Sequence, residues 1–350
     1  MKKALSFDDV LLTPKCSDIE SRKGINIGNF LDEDLCHLNL PVISSPMDTI
    51  TGGEMAAAMD RAGGLGVIHR YNSIEEQVAL VRSAWDIMSS GKQLWSNVGP
   101  KQVGAAIGAT GDFEERACAL SDAGANVLCV DVAHGHHYSV KKALEILKGV
   151  FGDTVHLMAG NVATLEGFND LADWGADSIR VGIGGGSICS TRVQTGHGVP
   201  TFQSILDCAQ SDRDAKMIAD GGIKTNGDIV KALAAGADFV MLGSMLAGTT
   251  EAPGELFQSK NKKYKVYRGM ASKAAQDDWR GKSAAPEGIS TTVPYKGDVE
   301  LILNNMRGNI QSGFSYSGAN CIEALWIKAE FVKQTSAGQL ESGTHILQRK

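Results

Sequence analysis

The feature that most constrains the fold is a series of short apolar runs, each of which ends in glycine or polar residues. The eight runs are, in chain order, PVISSPM (41–47), LGVIH (65–69), VGAAIG (103–108), VLCVDV (127–132), HLMAGNV (156–162), SIRVGI (178–183), KMIADGGI (216–223) and FVMLGS (239–244). Most of the intervening segments show helical periodicity, and several close on Gly-Ala before the next run. Eight strands that alternate with helices predict a closed parallel (β/α)8 barrel, the TIM-barrel fold, and leave an open doubly wound α/β sheet as the alternative.

The same pattern predicts a single domain over residues 1–350, with the barrel core at about 40–250. The residues before the core form an N-terminal extension, which we expect to cover the barrel entrance or a neighbouring copy. Residues 251–350 are predicted to be a flap and a C-terminal segment, with a loop of little periodicity over 270–296. No internal repeat, low-complexity tract or inserted domain is evident in the sequence.

Composition restricts the class of partner. The 350 residues carry a net charge of -6, and 43% of them are hydrophobic. A nucleic-acid backbone or an anionic membrane requires a basic face, so we expect neither as a partner. The sequence has no signal-peptide core and no run of about 18 apolar residues, which predicts a cytoplasmic protein. The seven cysteines form no CxxC pair, as is typical of a reducing compartment.

Polar and glycine residues concentrate where the predicted strands end. Active sites of (β/α)8 barrels are built from the carboxyl-terminal ends of the strands. The residues at these ends are Ser44 to Asp48, His69, Asp131, His134, Asn161, Gly182 to Cys189, Asp220 to Gly222, Gly243 and Ser244. The sequence therefore predicts that they share one site.

The last two predicted strands end in ADGGI and LGS, which predict a phosphate site. Glycine N–H groups can approach an oxyanion closely, and the loops after these two strands hold phosphate in many barrels. We expect a helix to begin after Ser244 and to add its dipole. Asp220 follows the first of these strands, where its carboxylate can accept hydrogen bonds from ribose hydroxyls. The alternative is that the glycines only form tight turns and that Asp220 caps or anchors an element.

The loop GIGGGSICST, residues 182–191, surrounds Cys189 with glycine and serine. Glycine leaves the backbone free to adopt positive φ and gives the thiol little side-chain cover. A cysteine attacks an electrophile as the thiolate, so we expect a base or a positive charge nearby. Ser190 and Thr191 can relay a proton, and Arg192 can favour the thiolate. From this loop alone, a structural cysteine remains the alternative.

A set of motifs extends along the whole chain: SFDDVLLTP, SSPMDTIT, GGLGVIH, DVAHGH, AGNVAT, RVGIGGGSICSTR, ADGGI, MLGSMLAGTTEAPGE, YRGMAS, PEGI and VPYKGD. Together they resemble the motifs of the IMP dehydrogenase and GMP reductase family. The resemblance implies a purine mononucleotide oxidoreductase that uses NADPH or NAD and forms a covalent bond between a cysteine and purine C2. It also implies a homotetramer.

The resemblance further assigns roles to residues of this chain. It implies that Cys189 is the nucleophile, that Thr191 relays a proton and that Glu287 assists proton transfer. It implies phosphate ligands at Ser187, Gly222, Gly243, Ser244 and Tyr267, a ribose acceptor at Asp220, and purine or nucleotide contacts at Met47, Asn161, Gly269 and Met270. The nicotinamide cofactor would face Asp131, Ala133 and His134.

The family has two branches, which share this site and differ in one step. An IMP dehydrogenase passes hydride to NAD and then hydrolyses a thioimidate, with a mobile flap that carries an Arg-Tyr pair. A GMP reductase takes hydride from NADPH and needs no hydrolytic flap. Here the segment between GMAS and PEG is short, has no Arg-Tyr pair and offers Trp279–Arg280 as the nearest substitute. VPYKGDVE resembles the reductases, and the inserted regulatory (CBS-type) modules of dehydrogenases are absent, so a GMP reductase is the leading hypothesis.

Other segments resemble bacterial IMP dehydrogenases, so that activity stays the alternative, with Arg280 as its base. These segments are SSPMDT, GGLGVIHRYNSIEEQ, PEGI and the tail TSAGQLESGTHIL. The tail implies a potassium site made by carbonyls of Gly184, Gly186 and Cys189 together with those of Glu341, Ser342 and Gly343 from a neighbouring subunit. A glycine loop without metal remains open, as do a noncatalytic nucleotide-binding barrel and an unrelated flavin enzyme.

Overall fold

The computed structural model describes residues 3–32, 35–90 and 101–343, with the backbone but not the side chain of Arg280. The strands in chain order are β1 (Val10–Leu12), β2 (Asn29–Asp32), β3 (Cys36–Leu38), β4 (Val42–Ser44), β5 (Leu65–Ile68), β6 (Gly104–Ile107), β7 (Val127–Asp131), β8 (His156–Val162), β9 (Ser178–Val181), β10 (Lys216–Asp220), β11 (Phe239–Leu242), β12 (Phe257–Ser259), β13 (Lys262–Arg268), β14 (Ser290–Pro294) and β15 (Phe331–Lys333). Within these residues, β4 to β11 lie side by side in parallel, and β11 pairs with β4 to close a barrel. The closure confirms the (β/α)8 prediction and excludes the open sheet.

Helices follow most barrel strands. They are α1 (Gly53–Arg61), α2 (Ile74–Ser90), α3 (Phe113–Asp122), α4 (Tyr138–Phe151), α5 (Leu165–Asp173), α6 (Thr191–Thr195), α7 (Thr201–Cys208), α8 (Asn226–Ala234), α9 (Lys273–Arg280), α10 (Val299–Tyr316), α11 (Ile322–Lys328) and α12 (Ser336–Glu341), and 3-10 turns cover Phe7–Asp9 and Arg22–Gly24. None of these described helices has the length and apolar character needed to cross a lipid bilayer.

Each of the eight apolar runs forms a barrel strand for the reason that the sequence suggests. Strands β5, β9 and β11 are buried along their whole length, because helices cover the barrel outside and side chains fill it inside. Gly124, Gly175 and Gly236 follow α3, α5 and α8 with φ of 106°, 101° and 113°. These are the Gly-Ala stops, and their left-handed backbone turns the chain from a helix into the next strand.

The hairpin of β2 and β3 closes the amino-terminal end of the barrel. Its apolar side chains pack into the cluster inside the barrel; they are Leu31, Cys36 and Leu38. The Asn29 side-chain amide also donates to Asp238 Oδ1 at 3.1 Å, directly before β11 begins. The hairpin therefore closes the end of the barrel that lies opposite to the strand ends with the predicted site.

The first and last described segments meet in a two-stranded ribbon. Strand β1 pairs antiparallel with β15, with Val10 opposite Lys333. The pairing continues into the turn Phe7–Asp9, because Gln334 N donates to Asp9 O at 3.0 Å. The two terminal segments therefore hold each other against the barrel.

Two local predictions are wrong. No described helix begins after Ser244: the chain makes one turn there, in which Leu246 N and Ala247 N both donate to Gly243 O. The segment 270–296 is also more regular than predicted, since it contains α9 and β14. Strand β14 exists because it pairs with β13, and such a long-range pairing leaves no periodicity in a short polar segment.

Asp60 gives a pH-dependent test of the barrel packing. It is 2% exposed, and its Oδ1 accepts from Gln102 N at 2.8 Å. Burial raises the pKa of Asp60 from 3.8 to about 6, so the folded state binds its proton more tightly than the unfolded state does. This carboxyl therefore favours the folded state below pH 4, and that contribution is lost as the pH rises through 6.

We expect Asp60→Asn to raise the free energy of unfolding at pH 7 by about 1–3 kcal/mol and to change it little at pH 4. The amide oxygen of Asn can still accept from Gln102 N, and no charge is buried. Urea unfolding at the two pH values measures the difference, with the exposed Asp86→Asn as control. Equal changes in the free energy of unfolding at both pH values would contradict the raised pKa of Asp60.

Candidate functional site

A cavity of about 830 Å³ opens at the carboxyl-terminal ends of the barrel strands. This volume is in the range of small-molecule sites. It is lined by these sequence-predicted residues: Met47, Asp131, Ala133, Asn161, Gly184, Gly186, Ser187, Cys189, Thr191, Asp220, Gly222, Gly243, Ser244, Tyr267, Gly269, Met270 and Glu287. Residues 6–8 of the N-terminal extension also line it, so that part of the extension covers the barrel entrance as expected.

Cys189, Thr191 and Glu287 form one hydrogen-bonded chain in the cavity wall. Cys189 is exposed, and its thiol donates to Thr191 Oγ1 at 3.2 Å. Thr191 Oγ1 in turn donates to Glu287 Oε2 at 2.8 Å. The backbone supports this geometry, because Ser190 N donates to Glu287 O at 2.8 Å. The chain of three groups can carry a proton between an exposed sulfur and a carboxylate.

Glycines are required before Cys189 because neighbouring backbone and side-chain atoms leave no room for a Cβ there. Gly182 has a φ of 146°, and a Cβ at this position would lie 1.9 Å from Asp220 O. A Cβ on Gly185 would lie 2.4 Å from Thr201 Oγ1. The loop can therefore lie against the end of β10 only without side chains, and this leaves the thiol uncovered. The steric requirement holds whether or not a metal binds.

Arg180 joins two carboxylates from neighbouring strand ends. Its guanidinium donates to Asp220 Oδ2 at 2.9 Å and to Asp131 Oδ1 at 2.5 Å, and its side chain is only 8% exposed. Burial alone would lower the pKa of Arg180, but the charges of Asp220 and Asp131 outweigh burial and raise it. Asn161 Nδ2 also donates to Asp220 Oδ2, at 2.8 Å. These bonds fix Asp220 through Oδ2, and none of them uses Oδ1.

Sequence reasoning missed Arg180 as a site residue. The signal was available: Arg180 is the one cation within the apolar run SIRV, and a buried cation needs an anionic partner. It also missed other residues that line the cavity, among them Arg70, Tyr71, Thr201 and Gln276. Their neighbours in sequence are ordinary helix or loop residues, so only the fold brings them to the cavity.

Hydroxyl and backbone groups gather on the side of the cavity where β10 and β11 end. Ser187 Oγ lies 3.2 Å from the Tyr267 hydroxyl, and burial raises the pKa of Tyr267. Lys296 Nζ donates to Ser244 O at 2.8 Å and to Met245 O at 3.0 Å. The lysine therefore fixes the turn that stands where a helix was expected. Hydroxyls, N–H groups and glycine turns in this arrangement suit an oxyanion.

Some predicted residues lie elsewhere. His134 is exposed and does not line the cavity, and its pKa is lowered by partial burial and by the neighbouring histidines. His136 Nε2 instead bonds Asp170 Oδ2 at 2.7 Å. The proposed partner ligands of potassium lie at or just after the end of α12, outside the cavity lining of their own chain; they are Glu341, Ser342 and Gly343. In the described part of the chain, no group of three His, Cys, Asp or Glu could hold a metal ion.

The sequence matches known proteins over almost its whole length. A family model described as "IMP dehydrogenase / GMP reductase domain" matches residues 4–345. The chain is 34% identical to an inosine-5'-monophosphate dehydrogenase from Nitrosopumilus maritimus, covering 98% of each protein. It is 34% identical to a GMP reductase from Leishmania major, covering 100% of this chain and 98% of the relative. It is 38% identical to an inosine-5'-monophosphate dehydrogenase from Cryptosporidium parvum, covering 98% and 95%.

A solved structure shows the same fold. It is a cysteine-to-alanine variant of GMP reductase from Trypanosoma brucei, crystallised in complex with guanosine 5'-monophosphate. The TM-score is 0.91 at 32% sequence identity, and the match covers 99% of this chain and 98% of that chain. The agreement extends to the whole barrel and to the segments that follow it.

The bridge between Asp131 and Asp220 predicts a strong effect of Arg180→Met on stability. Without the guanidinium, two carboxylates are left sheltered and close together, which costs about 3–5 kcal/mol. Urea unfolding at pH 7 measures this loss. Arg213→Met is the matched control, because Arg213 bridges Asp173 and Asp212 on the surface and its removal should change little. Similar losses in both variants would contradict a special role for the buried bridge.

Proposed function

Since the chain belongs to the IMP dehydrogenase / GMP reductase family, whose members are NAD(P)-dependent oxidoreductases, we propose that it is a GMP reductase. The reaction is GMP, NADPH and a proton to IMP, ammonia and NADP. The observation that carries this choice is the segment between Met270 and Glu287, which consists of α9 and a short loop. It contains no Arg-Tyr pair, so the hydrolytic step of a dehydrogenase lacks its usual group. Arg280 was the expected substitute, and its side chain lies outside the described residues.

The second candidate is an IMP dehydrogenase, which the similarity to dehydrogenases at 34% and 38% identity favours. A GMP reductase is equally similar at 34%, so identity does not separate the branches. The inserted regulatory module does not distinguish the dehydrogenase branch from the reductase branch either. The alignments to the Nitrosopumilus dehydrogenase and to the Leishmania reductase span 470 and 485 positions, both longer than this chain of 350 residues. Relatives from both branches therefore contain segments that this chain lacks.

The geometry supports covalent catalysis at purine C2. The thiolate of Cys189 attacks C2 of GMP and forms a C–S bond. The 2-amino group leaves as ammonia with a proton that Thr191 and Glu287 deliver along their hydrogen bond. Asp131 and Ala133 would hold the reduced nicotinamide, which would supply the hydride for C2. The C–S bond then breaks, its electron pair returns to the sulfur of Cys189, and IMP leaves with C2–H in place of C2–NH2.

The cavity lining supports a purine mononucleotide as the substrate. Asp220 is the proposed acceptor for the ribose hydroxyls, because Arg180 and Asn161 hold its carboxylate through Oδ2. The proposed phosphate ligands are Ser187, Gly222, Gly243, Ser244 and Tyr267, and the proposed purine or nucleotide contacts are Met47, Asn161, Gly269 and Met270. The related trypanosomal enzyme was crystallised with guanosine 5'-monophosphate, which is consistent with this ligand class.

The cofactor is proposed to lie beside Asp131 and Ala133, which line the same cavity. The Nε atom of Arg70 in this wall is buried and has no hydrogen-bond partner, which fits a polar group bound there. His134 is outside the lining, so the geometry does not support its expected contact with the cofactor. NADPH rather than NADH is proposed because the reductase branch uses it.

We further propose a homotetramer that binds potassium. The loop with Gly184, Gly186 and Cys189 offers carbonyls at the cavity wall. Glu341, Ser342 and Gly343 do not line the cavity of their own chain, and we propose that they contribute from a neighbouring copy. Steric requirements already explain why residues 182 and 185 are glycine, so these glycines are not support for potassium. The support is the similarity of the tail TSAGQLESGTHIL to dehydrogenases. The cytoplasmic location stays a prediction.

Absorbance at the nicotinamide band tests the direction of the reaction. We expect GMP with NADPH to lose absorbance and to release ammonia in equal amount, because one hydride is used for each amino group displaced. IMP with NAD should give no increase. An increase in the second mixture without a loss in the first would establish the dehydrogenase instead. A loss of absorbance without ammonia would exclude displacement at C2.

Replacement of the nucleophile tests the covalent step. We expect Cys189→Ala to lower kcat by about 10⁴-fold or more, while the Kd for GMP changes by less than about fivefold. We expect the variant to bind the nucleotide, but it cannot form the C–S bond. Cys16→Ala is the control, because Cys16 is exposed and does not line the cavity. Turnover retained in Cys189→Ala would rule out this sulfur as the nucleophile.

A further inference from the structure

Helix α9 forms one wall of the cavity. Gln276, in its middle, and Ala285 and Glu287, after its end, all line the cavity. The helix buries Ala275 and Gln276 and leaves the carboxylate of Asp278 and the indole of Trp279 partly in solvent. An exposed tryptophan is uncommon on a short polar helix. The contacts of these last two side chains therefore need an explanation.

The segment is closed on itself through Gln276. Its Nε2 donates to Ala271 O at 3.0 Å, before the helix, and its Oε1 accepts from Ala284 N at 2.9 Å, after the helix. Glu287 N also donates to Ala271 O at 3.0 Å. The helix, the loop after it and the carboxylate of Glu287 thus form one connected unit. Whatever displaces α9 will also displace Glu287.

Asp278 fastens this unit to the barrel through Arg268. The Arg268 guanidinium donates twice to Asp48 Oδ2, at 2.8 Å and 2.6 Å, from the end of β13 to the loop after β4. Its remaining nitrogen, Nη1, donates to Asp278 on α9. The side chain of Asp48 is 11% exposed and that of Asp278 is 66% exposed. The Arg268–Asp48 pair is largely buried and belongs to the barrel, whereas the exposed Arg268–Asp278 pair can break without disturbing the barrel.

Trp279 makes a second fastening on another side of the cavity. Its ring centroid lies 5.8 Å from that of Tyr71, with 33° between the planes. The Arg70 guanidinium lies over the Tyr71 ring, 5.7 Å from its centroid, and donates to Asp131 O at 3.1 Å. This tilted aromatic contact links α9 to the loop after β5 and, through Arg70, to the proposed cofactor residue Asp131.

We propose that Asp278 and Trp279 are positioning residues, which fasten α9 to the barrel as a fixed wall on the cofactor side of the cavity. Neither residue touches the reacting groups. Both act through the unit that contains Gln276 and Glu287, and so keep the Glu287 carboxylate at Thr191. The catalytic consequence rests on the proposed reductase function: a reductase has no hydrolytic step for which this segment must move, so a fastened wall favours turnover.

The first test measures the position of α9 without reference to activity. In the ligand-free protein, native trypsin cleavage at Arg280 and Lys282 reports how often the segment opens. We expect Asp278→Asn to speed this cleavage about two- to fivefold, the effect of losing one exposed ion pair, and Trp279→Ala about five- to tenfold, the effect of losing one aromatic pair. Asp277→Asn is the matched control, with the same charge change one residue away, and should cleave at the wild-type rate. The thermal midpoint should stay within about 2 °C of wild type in all variants.

The second test separates positioning from general damage. With GMP and NADPH, both variants should raise the KM for NADPH about fivefold and lower kcat, and leave the KM for GMP nearly unchanged. Trp279→Phe keeps a ring against Tyr71 and should restore most of the loss. Cleavage and KM values equal to those of Asp277→Asn would overturn the proposal, and so would failure of Trp279→Phe to rescue. If Asp278→Asn and Trp279→Ala are cleaved faster but the protein turns over only IMP and NAD, the attachment of α9 is supported and the proposed reductase function is wrong.

Discussion

The site depends on the guanidinium of Arg180, which lies between the carboxylates of Asp131 and Asp220. A buried cation with two anionic partners fixes the relative positions of strands β7, β9 and β10 at the end where the cavity opens. The electrostatic attraction is strong here because the side chains are largely removed from water. The carboxylate proposed for the ribose and the carboxylate proposed for the cofactor are thereby held in one rigid frame.

The second constraint is the close approach of the loop before Cys189 to the end of β10. Gly182 and Asp220 O occupy space that any side chain would fill, so the loop follows the strand end closely. As a result the thiol stands at the cavity wall, with Thr191 and Glu287 in line behind it. Electrostatic attraction fixes the strand ends, steric constraints expose the sulfur, and a hydrogen-bonded chain connects the sulfur to the Glu287 carboxylate.

The sequence predicted the features that local patterns control. Burial on both faces makes each barrel strand a short apolar run, and left-handed glycines end the helices, so the (β/α)8 fold was readable. Cys189 and Asp220 were predicted to share one site because they stand near glycines where strands end, and both line the cavity. Strand β14 was missed because its pairing with β13 determines it, and Arg180 was missed although its place within an apolar run was a signal. The turn after Ser244 was mistaken for a helix because Lys296, which fixes it, comes 52 residues later.

The ribbon of β1 and β15 bears on how the protein matures during translation. Residues 6–8, which line the cavity, belong to the turn that Gln334 holds in place, and Gln334 comes 326 residues after Asp8. Barrel strands can pair as they emerge from the ribosome, but this corner of the cavity is completed only after Gln334 has emerged. A nascent or truncated chain can therefore have a closed barrel and still be unable to hold its ligand.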